Sequence, residues 1–273
     1  IQRKLRKLLS KTQKAMRLAY CIHALNLSGG IERVLTTKAN YLADVLGHEV
    51  HIITARQKGR KECFRLSDRI VRHDLDANDR MFLHKYRRRL GALLGTIRPD
   101  ITVTVCDNSL YALTGCDDGS VKVGEFHFSH EKFMMKYGTG ALGRAYAEFR
   151  TRRLERAVRK LDRFVVLTKA DKEDWEKVRP DVEQIYNPLT FVSDEVSPLT
   201  GKRCVAVGRL EAQKNFKDLI KAWKIVKASR RTIGKPSYLD DITRQELSSN
   251  SLRMSEVPPS RMTLPASPLS LIR

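Results

Sequence analysis

The stretch MRLAYCIHALNLSGGIERVLTTKANYLADVLGHEVHIIT, residues 16–54, decides the fold. It contains an apolar run over Arg17–Leu25, a Gly29-Gly30 pair, a helix-periodic segment Ile31–Leu46 closed by Gly47, and a second apolar run Glu49–Thr54. Strand, glycine turn, helix and strand in that order make a βαβ unit with parallel strands. At the turn, backbone N–H groups and the helix dipole can meet a phosphate. The stretch from Val207 through Gly208, Arg209 and Leu210 to Lys214 and Asn215 has the same context, and two such junctions suggest a diphosphate clamped between two domains.

Outward from this unit the pattern repeats. Arg69–Leu75 reads as a short strand, and Arg80–Ile97 as a helix that ends before Pro99. Asp100–Val105 and Val121–Phe126 are strands of the buried, parallel type. A basic helix over Leu142–Leu161 leads into the strand Phe164–Leu167, after which Thr168 and Asp171 form a capping box. Together these segments predict a doubly wound, Rossmann-like α/β domain over residues 16–186. Asn187-Pro188 opens a linker over 187–201. A strand Lys202–Val207 and a helix Asn215–Ala228 then begin a second domain, incomplete at 202–230.

Residues 231–273 carry five of the nine prolines, eight serines and one aromatic, Tyr238, without helical or alternating period. Such a segment buries too little apolar area to offset its ordering entropy, so it reads as disordered or as a frame-shifted tail.

Hydrophobic content of 41% suits a globular chain, and no apolar run reaches the roughly 18 residues that a membrane span needs. The five cysteines, Cys21, Cys63, Cys106, Cys116 and Cys204, are scattered without a C-x-x-C pair and read as small buried hydrophobes in a reducing cytosol. The net charge of +21 calls for an anionic partner: nucleic acid, a membrane surface or a phosphorylated substrate. Seven of those charges fall between Arg3 and Arg17, leaving +14 from Leu18 onward. The basic leader 1–15 reads as a flexible extension ahead of Met16, or as an amphipathic helix on an anionic bilayer.

Gly29-Gly30-Ile31-Glu32-Arg33-Val34, Thr168-Lys169-Ala170-Asp171, Tyr186-Asn187-Pro188 and Gly208-Arg209-Leu210 with Lys214-Asn215 occur in an order that resembles the family 4 retaining glycosyltransferases of GT-B fold. The resemblance runs from about Met16 to about Ala228. It implies two Rossmann-like domains facing across a cleft, the first holding a glycan or lipid-linked acceptor and the second a nucleotide sugar. Transfer would retain the anomeric configuration without a metal or other cofactor. Cations and helix N-termini would stabilise the leaving diphosphate instead.

On this reading Gly29 and Gly30 admit the donor diphosphate to the backbone, and Arg209 and Lys214 bind it. Glu32 and Arg33 orient the loop and cap its helix, and Asp171 is a cap only. His127 follows the strand Val121–Phe126 at the sheet's carboxyl edge, where α/β proteins bind ligands. The resemblance places a histidine at about this point near the transferred sugar, which makes His127 the catalytic candidate, with His130 its competitor.

The sequence departs from the family after Ala228. The family's pair of glutamates eight residues apart has no counterpart, since Glu246 and Glu256 are wrongly spaced. The expectation is a chain with an acceptor-side domain and part of a diphosphate site, weak donor binding and slow or absent turnover. It would lie in the cytoplasm, peripheral to the inner membrane face, with an anionic membrane surface as a further partner. A non-catalytic binding module is the alternative. A nucleic-acid-binding protein is a third reading, but Arg87-Arg88-Arg89 and the arginines over 150–159 accompany no nucleic-acid-binding motif and no nucleic acid partner is expected.

Overall fold

The computed structural model describes residues 15–77, 83–106, 108–189, 206, 208 and 214–231. The basic leader to residue 14, most of the linker, Arg209, the strand expected at Lys202–Val207 apart from Ala206, and the tail from residue 232 lie outside the described residues. The chain divides into two units, the first carrying the sheet and the second carrying one described helix.

The first unit runs β1 (Arg17–Ile22), α1 (Gly30–Asp44), β2 (Glu49–Thr54), β3 (Val71–Asp74), α2 (Leu83–Ile97), β4 (Ile101–Thr104), α3 (Ser109–Leu113), β5 (Val121–Phe126), α4 (Lys132–Tyr137), α5 (Gly140–Val158), β6 (Arg163–Val166), α6 (Lys169–Glu176) and β7 (Val182–Gln184). The second unit contributes α7 (Phe216–Arg231). The seven strands form one sheet in the order β3-β2-β1-β4-β5-β6-β7, and every pair is parallel. This is the doubly wound, Rossmann-like arrangement that the alternation of apolar runs and helices predicts.

The sheet is buried on both faces, which is why its strands read as continuous apolar runs. α1 lays Leu35, Ala39 and Leu42 on one face, against Leu18, Tyr20, Ile52 and Val103. On the other face α2 sets Tyr86, Leu90 and Leu94 against Ala19, Cys21 and Ile53. Beside it α5 and α6 bring Leu154, Val158 and Trp175 onto Phe126, Phe164 and Val166. Trp175 is fully buried, edge-on to Phe126 and Phe164.

β1 stops at Ile22 rather than Leu25. The amide of Ala55 reaches back to the carbonyls of Ile22 and His23, and the Leu25 amide donates to Gln57 Oε1 at 2.8 Å, so the chain turns away from the ladder. Three short elements had no periodic signal in the sequence: α3, α4 and β7. Cys63 is exposed, contrary to the expectation of buried cysteines, because it sits in the connection between β2 and β3. Arg87 and Arg89 bind carbonyls besides facing solvent: Arg87 donates to Gly115 O, and Arg89 Nη1 donates to Leu75 O and Asp76 O. Thr168 caps α6 as expected, its hydroxyl accepting from the Asp171 amide at 3.1 Å and donating to the Asp171 carboxylate at 2.7 Å.

At the outer edge a polar chain crosses three strands. Arg17 Nε lies 2.9 Å from Glu49 Oε2, Glu49 Oε1 is 2.9 Å from His51 Nε2, and His51 Nδ1 is 2.9 Å from His73 Nε2. The Glu49 carboxyl is held below its usual range, chiefly by the hydrogen bond to His51. An ionised Glu49 assigns the proton to His51 Nε2, which leaves Nδ1 of the neutral ring to accept from His73 Nε2–H.

Gly124 lies on β5, inside the sheet, where the core is tightly packed. A Cβ there would stand 2.5 Å from Leu161 Cδ1 and 3.0 Å from Cys106 Sγ, inside a well-filled core. Gly124→Ala is expected to cost about 1–3 kcal/mol of stability, measurable by urea denaturation.

Candidate functional site

In the strand order, β1 and β4 are neighbours whose onward connections lead to opposite edges of the sheet. β1 passes through α1 to β2, and β4 passes through α3 to β5. The two connections part at the carboxyl ends, and the crevice left there is where open α/β sheets bind ligands.

The loop after β1 fills one side of this crevice. Gly29 is the N-cap of α1, with φ −80° and ψ 161°, and supplies no side-chain cap. Neither Gly29 nor Gly30 takes the left-handed conformation that would demand glycine. A Cβ on Gly29 would run into the Glu32 carboxylate, which folds back over it. A Cβ on Gly30 would have nothing within 4 Å among the described residues. Internal packing therefore gives no reason for glycine at 30, and its backbone is open to an approaching ligand. Arg33 donates its amide to Gly29 O at 3.1 Å and sets its guanidinium 5.8 Å from the Phe64 ring centroid.

The end of β5 supplies the acid–base groups. Glu125 lies beneath α1, its side chain 12% exposed, and pairs with Lys38, 17% exposed, from the third turn of that helix. Burial opposes ionisation of Glu125, yet the Lys38 ammonium and His127 together hold its carboxyl at about 2. His127 Nε2 stands 3.6 Å from Glu125 Oε2, and its side chain is 5% exposed. Lys38 Nζ also lies 6.0 Å from the Tyr20 ring centroid, and the Tyr20 hydroxyl is pushed well above its usual pKa by burial and by the Glu125 charge.

Cys106, just past β4, is buried at φ 54°, a conformation that costs a non-glycine residue energy; its amide is held by Thr104 Oγ1 at 3.2 Å. His130 has different surroundings from His127. Its Nε2 is 3.1 Å from Glu155 of α5, and its ring stands edge-on to Trp175 at 4.8 Å. Lys214 is exposed immediately before Asn215 and α7 in the second unit, and Arg209 falls outside the described residues. Among the described residues no group of three or more His, Cys, Asp or Glu is placed to hold a metal ion.

A recess of about 550 Å³ opens between α2 and α3, lined by Leu83, His84, Arg87, Arg88 and Tyr111. Because α2 follows β3 in a parallel sheet, its first turns stand on the carboxyl side. The guanidinium of Arg153 lies 4.5 Å from the Tyr111 ring centroid.

Residues 28–190 match the family profile described as Glycosyltransferase Family 4, and the chain belongs to that family. Among solved structures it is similar to the lipopolysaccharide outer core galactosyltransferase WaaB in its apo form. That match has 14% identity and a TM-score of 0.46, over 69% of this chain and 50% of the other. It is also similar to UGT73P12 of Glycyrrhiza uralensis complexed with glycyrrhetinic acid 3-O-monoglucuronide, with 12% identity and a TM-score of 0.35, over 63% and 48%. The chain thus spans about half the length of each. No curated protein sequence matches it significantly.

Glu125 and Lys38 escaped the sequence reading. The signal was present, since a carboxylate near the carboxyl end of a buried strand requires a partner, and Lys38 sits on α1 among otherwise buried neighbours. Glu125→Gln leaves the Lys38 ammonium without its counter-charge and is expected to cost about 3 kcal/mol at neutral pH. The depressed pKa means that wild type has this contribution above 4.5 and loses it as pH falls toward about 2. Urea denaturation should therefore show the gap between the two proteins narrowing over that window.

Proposed function

We propose that this chain transfers a hexose from a nucleotide-sugar donor to a glycan or lipid-linked acceptor with retention of anomeric configuration, working at the inner face of the cell membrane without a metal cofactor. The observation that carries the reading is the open helix N-terminus at Gly30, on the same edge of the sheet as His127 and its Glu125–Lys38 pair. An N-terminus free of side-chain capping offers N–H donors and a positive dipole end to the diphosphate, which gains charge as the glycosidic bond to the donor breaks. His127, its Nε2–H aimed at ionised Glu125, would accept a hydrogen bond at Nδ1 from a hydroxyl of the transferred sugar beside that bond. Lys214 and Arg209 are the second unit's own candidate cations for a diphosphate.

The acceptor would lie on the first unit, where His84, Arg87 and Arg88 line the recess between α2 and α3 and suit an acceptor that bears phosphate. The sequence after Ala228 carries no glutamate pair at a spacing of eight to hold the donor sugar and ribose.

Gly30→Ala separates folding from function, because an added methyl meets no protein atom but enters the ligand's space. Its unfolding free energy should stay within about 1 kcal/mol of wild type. Affinity for UDP-glucose or GDP-mannose, titrated calorimetrically with the full chain, should fall about tenfold. Equal affinity in the two proteins, or no binding of either donor by wild type, would remove the diphosphate assignment.

A further inference from the structure

α5 has a second apolar face that the fold covers only in part: Tyr146 stands edge-on to Tyr137 and accepts from Arg150 Nη1 at 2.9 Å, while its neighbours in the row are left open. The inner side of α5, Ala147, Leu154, Ala157 and Val158, is buried on the sheet. On the outer side Leu142, Tyr146 and Phe149 recur at i, i+4 and i+7, and are 89%, 45% and 58% exposed. Met135 of α4, 72% exposed, belongs to the same hairpin of helices. A row of large apolar side chains kept in water at helical spacing is unfavourable unless something covers it.

The charge around the row indicates the partner. Residues 132–160 hold nine Lys and Arg against two Glu, a net +7. Both glutamates are engaged, Glu148 with Arg152 and Glu155 with His130. Among the described residues Arg144, Arg153 and Arg156 are exposed and have no carboxylate partner, while Arg150 is packed on the Phe133 ring and bonded to the Tyr146 hydroxyl. Arg153 stands one turn beyond Phe149 on the outer face, where it continues the row as a cation. Aliphatic and aromatic groups at the centre with guanidinium groups around them match an anionic bilayer: hydrocarbon takes the former and lipid phosphate the latter. Nucleic acid would satisfy the arginines but leave Leu142 and Met135 in water.

We infer that the outer face of α5, with α4, docks the chain on an anionic lipid bilayer, inserting Leu142, Tyr146, Phe149 and Met135 among the acyl chains while its arginines hold lipid phosphates. The inference rests on the transfer reading only in taking a lipid-linked acceptor as the reason for docking. Arg153 touches both features, since it lies over Tyr111 of the acceptor recess. Docking there sets the recess next to the headgroup layer.

The test is co-sedimentation of the full chain with vesicles of phosphatidylcholine alone or with about one-quarter phosphatidylglycerol. Wild type should bind the anionic vesicles about tenfold better, with the difference shrinking as salt rises. The triple variant Leu142→Ser, Tyr146→Ser, Phe149→Ser leaves the buried side of α5 intact and loses only the Tyr146 contacts with Tyr137 and Arg150, and its binding should fall about tenfold. In an otherwise wild-type chain, a tryptophan introduced by F149W should shift its emission to the blue on anionic vesicles. Equal binding of both vesicle types, a triple variant that binds like wild type, or no emission shift would each overturn the proposal. Suppression of vesicle binding by duplex DNA that the triple variant binds equally well would also overturn it, in favour of a nucleic-acid surface. No donor is present in these assays, so loss of the diphosphate assignment and loss of the docking surface are separately visible.

Discussion

Glu125 stands one residue before the end of a buried strand, and its ionised carboxylate in that position requires a cation within reach. Lys38 supplies it from α1, so one ion pair links the helix that follows β1 to the strand beyond β4. The pair spans the place where the sheet's connections part. Gly30 lies eight residues before Lys38 on the same helix, about 12 Å along its axis. Removing the cation would unmoor the helix whose N-terminus faces the crevice, and would leave Glu125 free to repel any anion there. His127 takes its second neighbour from the same carboxylate. The start of α1 and the His127 imidazole are thus tied to one carboxylate.

Two glycines show how the chain separates packing from binding. Gly124 is glycine because Leu161, Cys106 and Phe164 leave no room for a methyl group. Gly30 is glycine where there is ample room. A residue kept small without crowding by its own chain suits a surface that receives something else. The exposed row on α5 follows the same logic in reverse, being large and apolar where its own chain offers no cover.

Most of the sheet was legible because its strands are buried on both faces: β2 and β5 begin and end where their apolar runs do. β7 was not legible, since three residues with Val182 as the one apolar member give no period. α3 and α4, at five and six residues, are too short for a helical repeat to declare itself. That Gly29-Gly30 opens a helix and that His127 follows β5 was legible in the sequence. Its electrostatics were hidden, because Lys38 and Glu125 are 87 residues apart and meet only once β5 lies two places from β1. The tie of His130 to Glu155 likewise depends on how α5 packs.

The polar chain from Arg17 through Glu49 and His51 to His73 has a direction, and each ring in it has one proton to give. A second proton on His73 would put charge in a half-buried place beside the His51 ring and weaken the link between β2 and β3. His73 already holds a proton less readily than usual, through burial and the nearby His51. Mild acid therefore works on this margin of the sheet before it reaches the Glu125 pair. β3 is the outermost strand there, and its release would bare the backbone of β2 to any other chain in solution. For this molecule, souring the medium is a route to stickiness, beginning at the edge farthest from β7.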